Sequence, residues 1–424
     1  MKLSKYNFCV ETENNTCIIY NTLKNTYIKM GSKRFHQLST NINEFIGTSQ
    51  FKEDIKILLE SGIILEDNVD EVLLVKNQYF EKCYNSSCYN VTLIPTLLCN
   101  LKCDYCFVEQ DDYYMDDFII NQVIDYLKKC IKDKRHYLKH FNMKWFGGEP
   151  LLYPDIISKI SKPIIEFCKL NKINYYAMIY SNLTLLDDNR INVLRSCKIN
   201  KINTTLDGFG IDNDIRRMSK NGKSYFFNII DNIKKLKENK FSVNIQVNID
   251  KRNIGSIKTL INYLKKEKIV DGESITIGFN LVNDNSNISD KGILYSYEEN
   301  IVMNQIDEFY RLLGLKAANT LPTKALNCFA LANNSVVIDP RGNLYKCFKD
   351  TKKNISFGNV SQSEYQYSNN KYQNLLYNPF NNKRCIECNV FPICFGGCPN
   401  FGSDENICSL KYILSYKIKR NFRE

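Results

Sequence analysis

Cys99-Asn-Leu-Lys-Cys103-Asp-Tyr-Cys106-Phe107 follows directly on the apolar run Val91 to Thr96. Three thiols spaced CxxxCxxC can ligate three irons of a four-iron cluster, leaving one iron for a ligand from elsewhere. Structural zinc sites close with four ligands, commonly on CxxC knuckles, so this loop has one cysteine too few and the wrong first spacing for zinc. An open iron suits a chelating small molecule.

Outward from this loop, from Val91 to about Leu315, short apolar strands alternate with helical stretches, the pattern that builds a parallel sheet. Strands are predicted at Val91 to Thr96, Met143 to Phe146, Asn174 to Tyr180, Ile202 to Leu206, Val243 to Ile249 and Ser274 to Leu281. Helices are predicted at Asp117 to Lys132, Pro154 to Leu170, Asp187 to Ser196, Tyr225 to Lys240, Ile254 to Lys268 and Glu298 to Leu313. Candidate site residues fall at strand ends, where function gathers in barrels: Gly147-Gly148-Glu149-Pro150 after the second strand, Ser181-Asn182 after the third, Asp207-Gly208 after the fourth. Paired glycines let a backbone approach a ligand closely, and an acidic neighbour suits an ammonium. A plain turn is the alternative.

The CxxxCxxC loop, Phe107 and the Gly147-Gly148-Glu149-Pro150 run together resemble a radical S-adenosylmethionine (SAM) enzyme. The resemblance implies an α/β fold with a partial (β/α)6 TIM-like barrel. It implies a 4Fe-4S cluster on Cys99, Cys103 and Cys106, its open iron chelated by the amino and carboxylate groups of SAM. Reductive cleavage of SAM then gives a 5′-deoxyadenosyl radical that abstracts hydrogen from an unactivated C–H, the cofactor supplying the hard chemistry. The same resemblance puts Gly147, Gly148 and Glu149 at the SAM amino group, Ser181 and Asn182 near its ribose and carboxylate, and Phe107 among the cofactor-binding residues. Thr205-Leu206-Asp207-Gly208 with Asp214-Ile215-Arg216 is similar to the S-L-D-G … H-D-x-x-R stretch of these enzymes, which implies Arg216 at the SAM carboxylate. A guanidinium fits a carboxylate bidentately. Arg217 is an adjacent rival, and a surface salt bridge is the plainer reading.

Cys328, Gly342-Asn-Leu-Tyr-Lys-Cys347, Cys385-x2-Cys388-x5-Cys394-x3-Cys398 and Cys408 form a second pattern, too long for a four-ligand zinc ribbon. It resembles the SPASM extension, which implies two auxiliary 4Fe-4S clusters and so three in all. The resemblance implies that Cys385, Cys388, Cys394 and Cys408 ligate the outer cluster and Cys328, Cys347 and Cys398 the inner one. Asn334 stands where some relatives have a further cysteine, which leaves the inner cluster with an open iron or with another side chain closing it. Cys9, Cys17, Cys83, Cys88, Cys130, Cys168 and Cys197 match no motif, and single cysteines in apolar segments are usually small buried hydrophobes. His36, His136 and His140 stand outside every motif.

Residues 1–85 read as three short strands (Tyr6 to Glu11, Thr16 to Asn21, Thr26 to Met30), helical patterns from Gly31 to Asn43 and Gln50 to Glu60, and Gly62-Ile63-Ile64-Leu65. This winged-helix-like unit resembles the peptide-recognition element fused to radical SAM peptide-modifying enzymes, in which a precursor's leader adds as a strand to a sheet edge. A structural cap on the barrel is the alternative. The expected organisation is therefore a leader-binding domain over 1–85, the radical SAM core over 86–315 and the SPASM domain over 316–424.

A chain of 424 residues, 44% hydrophobic, supports two or three domains. It shows no membrane-length apolar stretch and no secretory h-region at Met1 to Val10, and cytoplasmic location is expected. Seventeen cysteines in a reducing compartment read as metal ligands more naturally than as disulfides. The net charge of +11 is spread over faces such as Lys234, Lys235, Lys237 and Lys240, so nucleic-acid binding is not expected.

The resemblance implies a peptide maturase that forms thioether links from a cysteine sulfur to carbon in a ribosomal precursor peptide, fed by a flavodoxin- or ferredoxin-like electron donor. Carbon–carbon cross-linking on the same scaffold stays open. A sulfatase-maturating, formylglycine-forming enzyme is a rival. Such relatives begin near the cysteine loop and carry Asp after the GxxxxC cysteine, whereas about ninety residues precede the loop here and Phe348 follows Cys347. A non-catalytic iron–sulfur electron carrier or peptide-binding scaffold is the remaining alternative.

Overall fold

The computed structural model describes residues 1–424 except 13, 48–51, 283–301, 303–304, 307, 316–327, 352–354, 364–367, 400–410, 412–413, 416 and 419–424. Two compact units result: Met1–Tyr84 with Ala318–Cys328 and Leu376–Glu424, and Asn85–Ala317 with Phe329–Leu375. This cuts across the three consecutive domains expected from sequence, because the expected 316–424 segment is shared between the units.

In the first unit β1 (Lys2–Leu3) pairs with β5 (Ile64–Leu65), and β2 (Asn7–Glu11), β3 (Thr16–Asn21) and β4 (Thr26–Gly31) form an antiparallel sheet in that order. Strand β3, rich in β-branched residues, is buried on both sides. Cys17 and Ile19 pack with Leu38, Phe45 and Leu58 of helices α1 (Ser32–Thr40), α2 (Ile42–Gly47) and α3 (Lys52–Glu60). Ile18 and Tyr20 pack instead with Phe8, Val10, Val390, Ile393, Leu414 and Ile418. That second cluster ties the C-terminal cysteine-rich segment to the N-terminal sheet. Helix α4 (Glu71–Cys83), not foreseen from the sequence, is capped by Asp70, whose side chain accepts from Leu73 N at 3.1 Å.

The second unit is the α/β barrel sheet. Its six expected strands are β6 (Cys88–Leu93), β8 (His140–Trp145), β9 (Asn174–Tyr180), β10 (Ile199–Thr205), β12 (Ser242–Ile249) and β13 (Ile275–Leu281), parallel neighbours in that order. The short strands β7 (Leu101–Cys103) and β11 (Arg217–Ser219) pair with each other outside it. Helices α5 (Asp117–Lys134), α6 (Pro154–Leu170), α7 (Asp188–Ser196), α9 (Phe226–Glu238) and α10 (Ile254–Lys266) connect successive strands; the short α8 (Ile211–Arg216) precedes β11. Alternate strand residues such as Leu93, Trp145, Ile179, Ile202 and Ile245 bury against these helices in one core. The expected helix from Glu298 lies partly outside the described residues; 308–312 are helical. Beyond β6 the sheet gains β14 (Ser335–Ile338), parallel, then β15 (Asn343–Tyr345) and β16 (Gly358–Asn359), antiparallel. Ser335-Val-Val-Ile is too short to announce itself as a strand; it is fixed by pairing with β6. Among the described residues no helix is long and apolar enough to cross a membrane.

Candidate active site

The cysteine loop leaves the end of β6 and is braced by β7, whose Cys103 stands opposite Arg217 of β11. The Gly147-Gly148-Glu149 turn docks on it: Gly148 N donates to Thr96 O at 3.1 Å and Glu149 N to Leu98 O at 2.9 Å. A Cβ on Gly148 would lie 2.0 Å from Leu98 O, and one on Gly147, at φ +134°, would lie 2.4 Å from Thr96 O. The close approach these glycines permit is thus to the cysteine loop's own backbone.

Glu149 is fully buried at the point where three strand ends meet. Its Oε1 accepts from Leu151 N at 2.9 Å and Ser181 Oγ at 2.9 Å, and its Oε2 from Asn182 N at 2.7 Å. A carboxylate has about four acceptor directions, so one is left for a further donor such as an ammonium. Burial raises the Glu149 pKa against the pull of those bonds and of the Arg217 charge. Asn182 donates through Nδ2 to Asn100 Oδ1 at 2.9 Å and to Cys99 Sγ at 3.7 Å, and its Oδ1 accepts from Thr184. Leu101 N also donates to Cys99 Sγ, at 3.4 Å. Burial pushes the Cys99 thiol up to about 12, the Glu149 charge adding to it. Cys103 is likewise raised by burial, with Arg217 opposing.

The two adjacent arginines part company. Arg216 donates from Nη1 to Asp250 Oδ2 at 2.9 Å and lies 5.4 Å from the Tyr105 ring, while its buried Nε and Nη2 have no hydrogen-bond partner among the described residues. Arg217 donates to Tyr105 Oη at 2.8 Å, and Tyr105, inside the cysteine loop, donates to Asp207. The Arg217 charge is the one felt by Cys99, Cys103 and Glu149. Sequence reasoning gave Tyr105 no role and Arg217 only the part of a rival. The register of β11 on β7 is what distinguishes them. Phe107 stacks on Phe146, centroids 6.0 Å apart, and tilts against Phe348 at 5.2 Å.

Elsewhere, Cys385 lies on a helical turn Lys383–Ile386 and Cys394 ends another, Phe391–Cys394, after which Phe395, Gly396 and Gly397 all have positive φ. Tyr377 lies beside this segment: burial raises its hydroxyl pKa, and the charges of Cys385, Cys394 and Cys398 add to the rise. Cys328 and Cys398 fall in the first unit, Cys347 in the second, and Cys408 lies outside the described residues. Among the described residues no three His, Cys, Asp or Glu side chains could hold a single metal ion. A four-iron cluster is wider, since each cysteine ligates its own iron. Three cysteines on one loop, with N–H donors aimed at Cys99 Sγ and a buried carboxylate beside it, fit such a cluster and a chelating amino acid.

Residues 93–264 match the family model of the radical SAM superfamily. With this fold and loop, the chain is an enzyme that carries a radical SAM domain over those residues. It is 22% identical over 344 residues to the cysteine-type anaerobic sulfatase-maturating enzyme of Clostridium novyi (strain NT), covering 73% of this chain and 89% of that one. Native anSMEcpe with bound AdoMet and the Cp18Cys peptide superposes with a TM-score of 0.61 at 18% identity, over 79% of this chain and 98% of that one. Streptococcus suis SuiB bound to precursor peptide SuiA gives 0.55 at 17% identity, over 96% and 99%.

Proposed function

We propose that this enzyme is a SPASM-type maturase of a ribosomally made precursor peptide, and that it installs a thioether between a cysteine sulfur and a carbon of that peptide. The observation that carries the reading is the sheet-and-helix unit of residues 1–84. The likeness to SuiB, seen with a precursor peptide, extends over 96% of the chain, whereas the likeness to anSMEcpe covers 79%. Phe348 follows Cys347 and packs on Phe107, so that position offers no carboxylate for proton removal.

On this reading Cys99, Cys103 and Cys106 hold the SAM cluster. Glu149 and the backbone of Gly147 and Gly148 take the amino group, Ser181 and Asn182 the ribose and carboxylate side, and Phe107 the adenosyl face. Arg216, whose buried Nε and Nη2 have no hydrogen-bond partner among the described residues, meets the carboxylate, with Arg217 as its rival. SAM and the cluster supply the hydrogen-abstracting radical. For each bridge the acceptor carbon would lose one hydrogen atom to the SAM-derived radical and the cysteine thiol a proton, and an auxiliary cluster held by the SPASM cysteines would supply the acceptor for the remaining electron. The SPASM cysteines hold two such clusters, a flavodoxin- or ferredoxin-like protein feeds electrons, and the enzyme works in the cytoplasm. Formylglycine formation is the second reading, favoured by the named sequence relatives.

Anaerobic co-expression with the short peptide encoded nearest the gene, followed by high-resolution mass spectrometry, tests this. A pair of hydrogens lost per bridge, with the cysteines no longer alkylatable, is expected, and a variant lacking Cys99, Cys103 and Cys106 should give none. The same mass loss with free thiols means carbon–carbon linkage, and a hydrazine-reactive aldehyde at Ser or Cys means formylglycine. An unmodified peptide despite 5′-deoxyadenosine production removes this peptide as substrate.

A further inference from the structure

The sheet face opposite the helices is the less explained half of the barrel. Its strand positions carry amides and hydroxyls: Asn142 Nδ2 donates to Asn90 Oδ1 at 2.9 Å, Asn244 Nδ2 to Asn203 Oδ1 at 3.3 Å, and Thr276 Oγ1 to Asn244 Oδ1 at 3.0 Å. No Asp or Glu occupies this face in β6, β8, β9, β10, β12 or β13. Lys144 does, on β8, level with Thr92 and Met178 of the neighbouring strands. Its ammonium lies 4.6 Å from the Phe329 ring and 5.6 Å from the Tyr180 ring. Among the described residues it has no hydrogen-bond or ion-pair partner. A half-buried cation between two aromatic faces is held in place by them without being neutralised. Burial lowers its pKa, the mark of a charge lacking a counter-ion.

We infer that Lys144 is a carboxylate subsite for the substrate peptide: an acidic side chain of the modified segment pairs with its ammonium while the amide-rich wall meets the peptide backbone. The inference rests on the peptide-maturase reading and narrows it to acidic peptides. The carboxylate of SAM is the other source of the same chemistry. Lys144 lies three residues before Gly147 on an extended strand, roughly 10 Å down the wall from the turn beside the cysteine loop. That distance favours the peptide.

Competitive acetylation of the anaerobically reconstituted enzyme, read lysine by lysine by mass spectrometry, tests the subsite without needing the natural substrate. The probes are N-acetylglutamate amide and N-acetylglutamine amide, each at tens of millimolar, and SAM alone. The glutamate probe should slow acetylation of Lys144 at least about fivefold, as when a ligand fills most of a site, while the glutamine probe and SAM leave it unchanged. Exposed Lys265, on helix α10, should react alike throughout. Equal protection by both amides, or by neither, overturns the inference, and protection by SAM alone assigns Lys144 to the cofactor and overturns it too. The maturase reading fails separately, in the co-expression experiment.

Discussion

Replacing Gly148 with alanine would drive a methyl group into the cysteine loop. The added Cβ would sit 2.0 Å from Leu98 O, 2.4 Å from Leu98 C and 2.6 Å from Leu97 O, all backbone atoms that no rotamer change can clear. Ordinary contact begins near 3.4 Å, so the two loops must part by more than about 1 Å. That movement breaks the bonds from Gly148 N to Thr96 O and from Glu149 N to Leu98 O, worth about 1 kcal/mol each. It also pulls Glu149 away from Ser181 and Asn182, where about 1 Å of misplacement can cost on the order of 100-fold in rate. Gly148→Ala should therefore lose about 2–3 kcal/mol and several degrees of melting temperature. SAM cleavage, measured as 5′-deoxyadenosine under dithionite, should fall at least about 100-fold. Iron bound at the cysteine loop should stay near wild type, because no cysteine is touched. Normal cleavage rates with an unchanged melting temperature would refute the interlock, and total loss of iron would show that the loops do not move independently.

Further outcomes follow from the same geometry. Asn182→Ala removes an N–H···S bond to Cys99, and a loss of about 1 kcal/mol corresponds to a potential roughly 40 mV more negative for one electron, measured by EPR-monitored titration. Asp250→Ala leaves the buried Arg216 guanidinium only the more distant Asp104 carboxylate, 3.9 Å away, and should cost about 3 kcal/mol in chemical denaturation. Burial alone would raise the Asp250 pKa, but its bonds to Arg252 and Arg216 outweigh that and hold it below the ordinary carboxylate value. A depressed pKa stabilises above the unfolded value, so the wild-type advantage over Asp250→Asn should shrink as pH falls below about 4. Lys346→Met deletes donors to Ala332 O, Ser335 O and Ser335 Oγ at 2.6–2.9 Å and should loosen the hairpin that presents Cys347, lowering iron per chain.

What could be read in advance follows from how locally each feature is encoded. Strand β9 and helix α6 have the bounds expected, because their apolar spacing and flanking turns lie within the segment itself. The interlock of Gly148 with Leu98 was not legible, since nothing in Gly-Gly-Glu-Pro says that its close neighbour is protein backbone. Arg216 and Arg217 are adjacent, so their roles are divided by a strand register that involves residues over a hundred positions away. Lys144 carries no signal of its own in the sequence; the parity of β8 puts it on the face away from the helices. Helix α4 was missed because its apolar residues are packed by the far end of the chain: Tyr79 meets Phe380 and Phe395.

The same pairing of chain ends has a consequence for biosynthesis. Thr22 Oγ1 donates to Asn389 O across 367 positions, and Phe8, Val10, Ile18 and Tyr20 are covered by residues from Val390 onward. At roughly 5–20 residues per second a ribosome needs about 20–70 s to make the covering segment after the sheet has emerged. For that interval the nascent chain carries an uncovered apolar sheet face, so aggregation during synthesis should depend on translation speed and on chaperone supply more than on the stability of the finished enzyme.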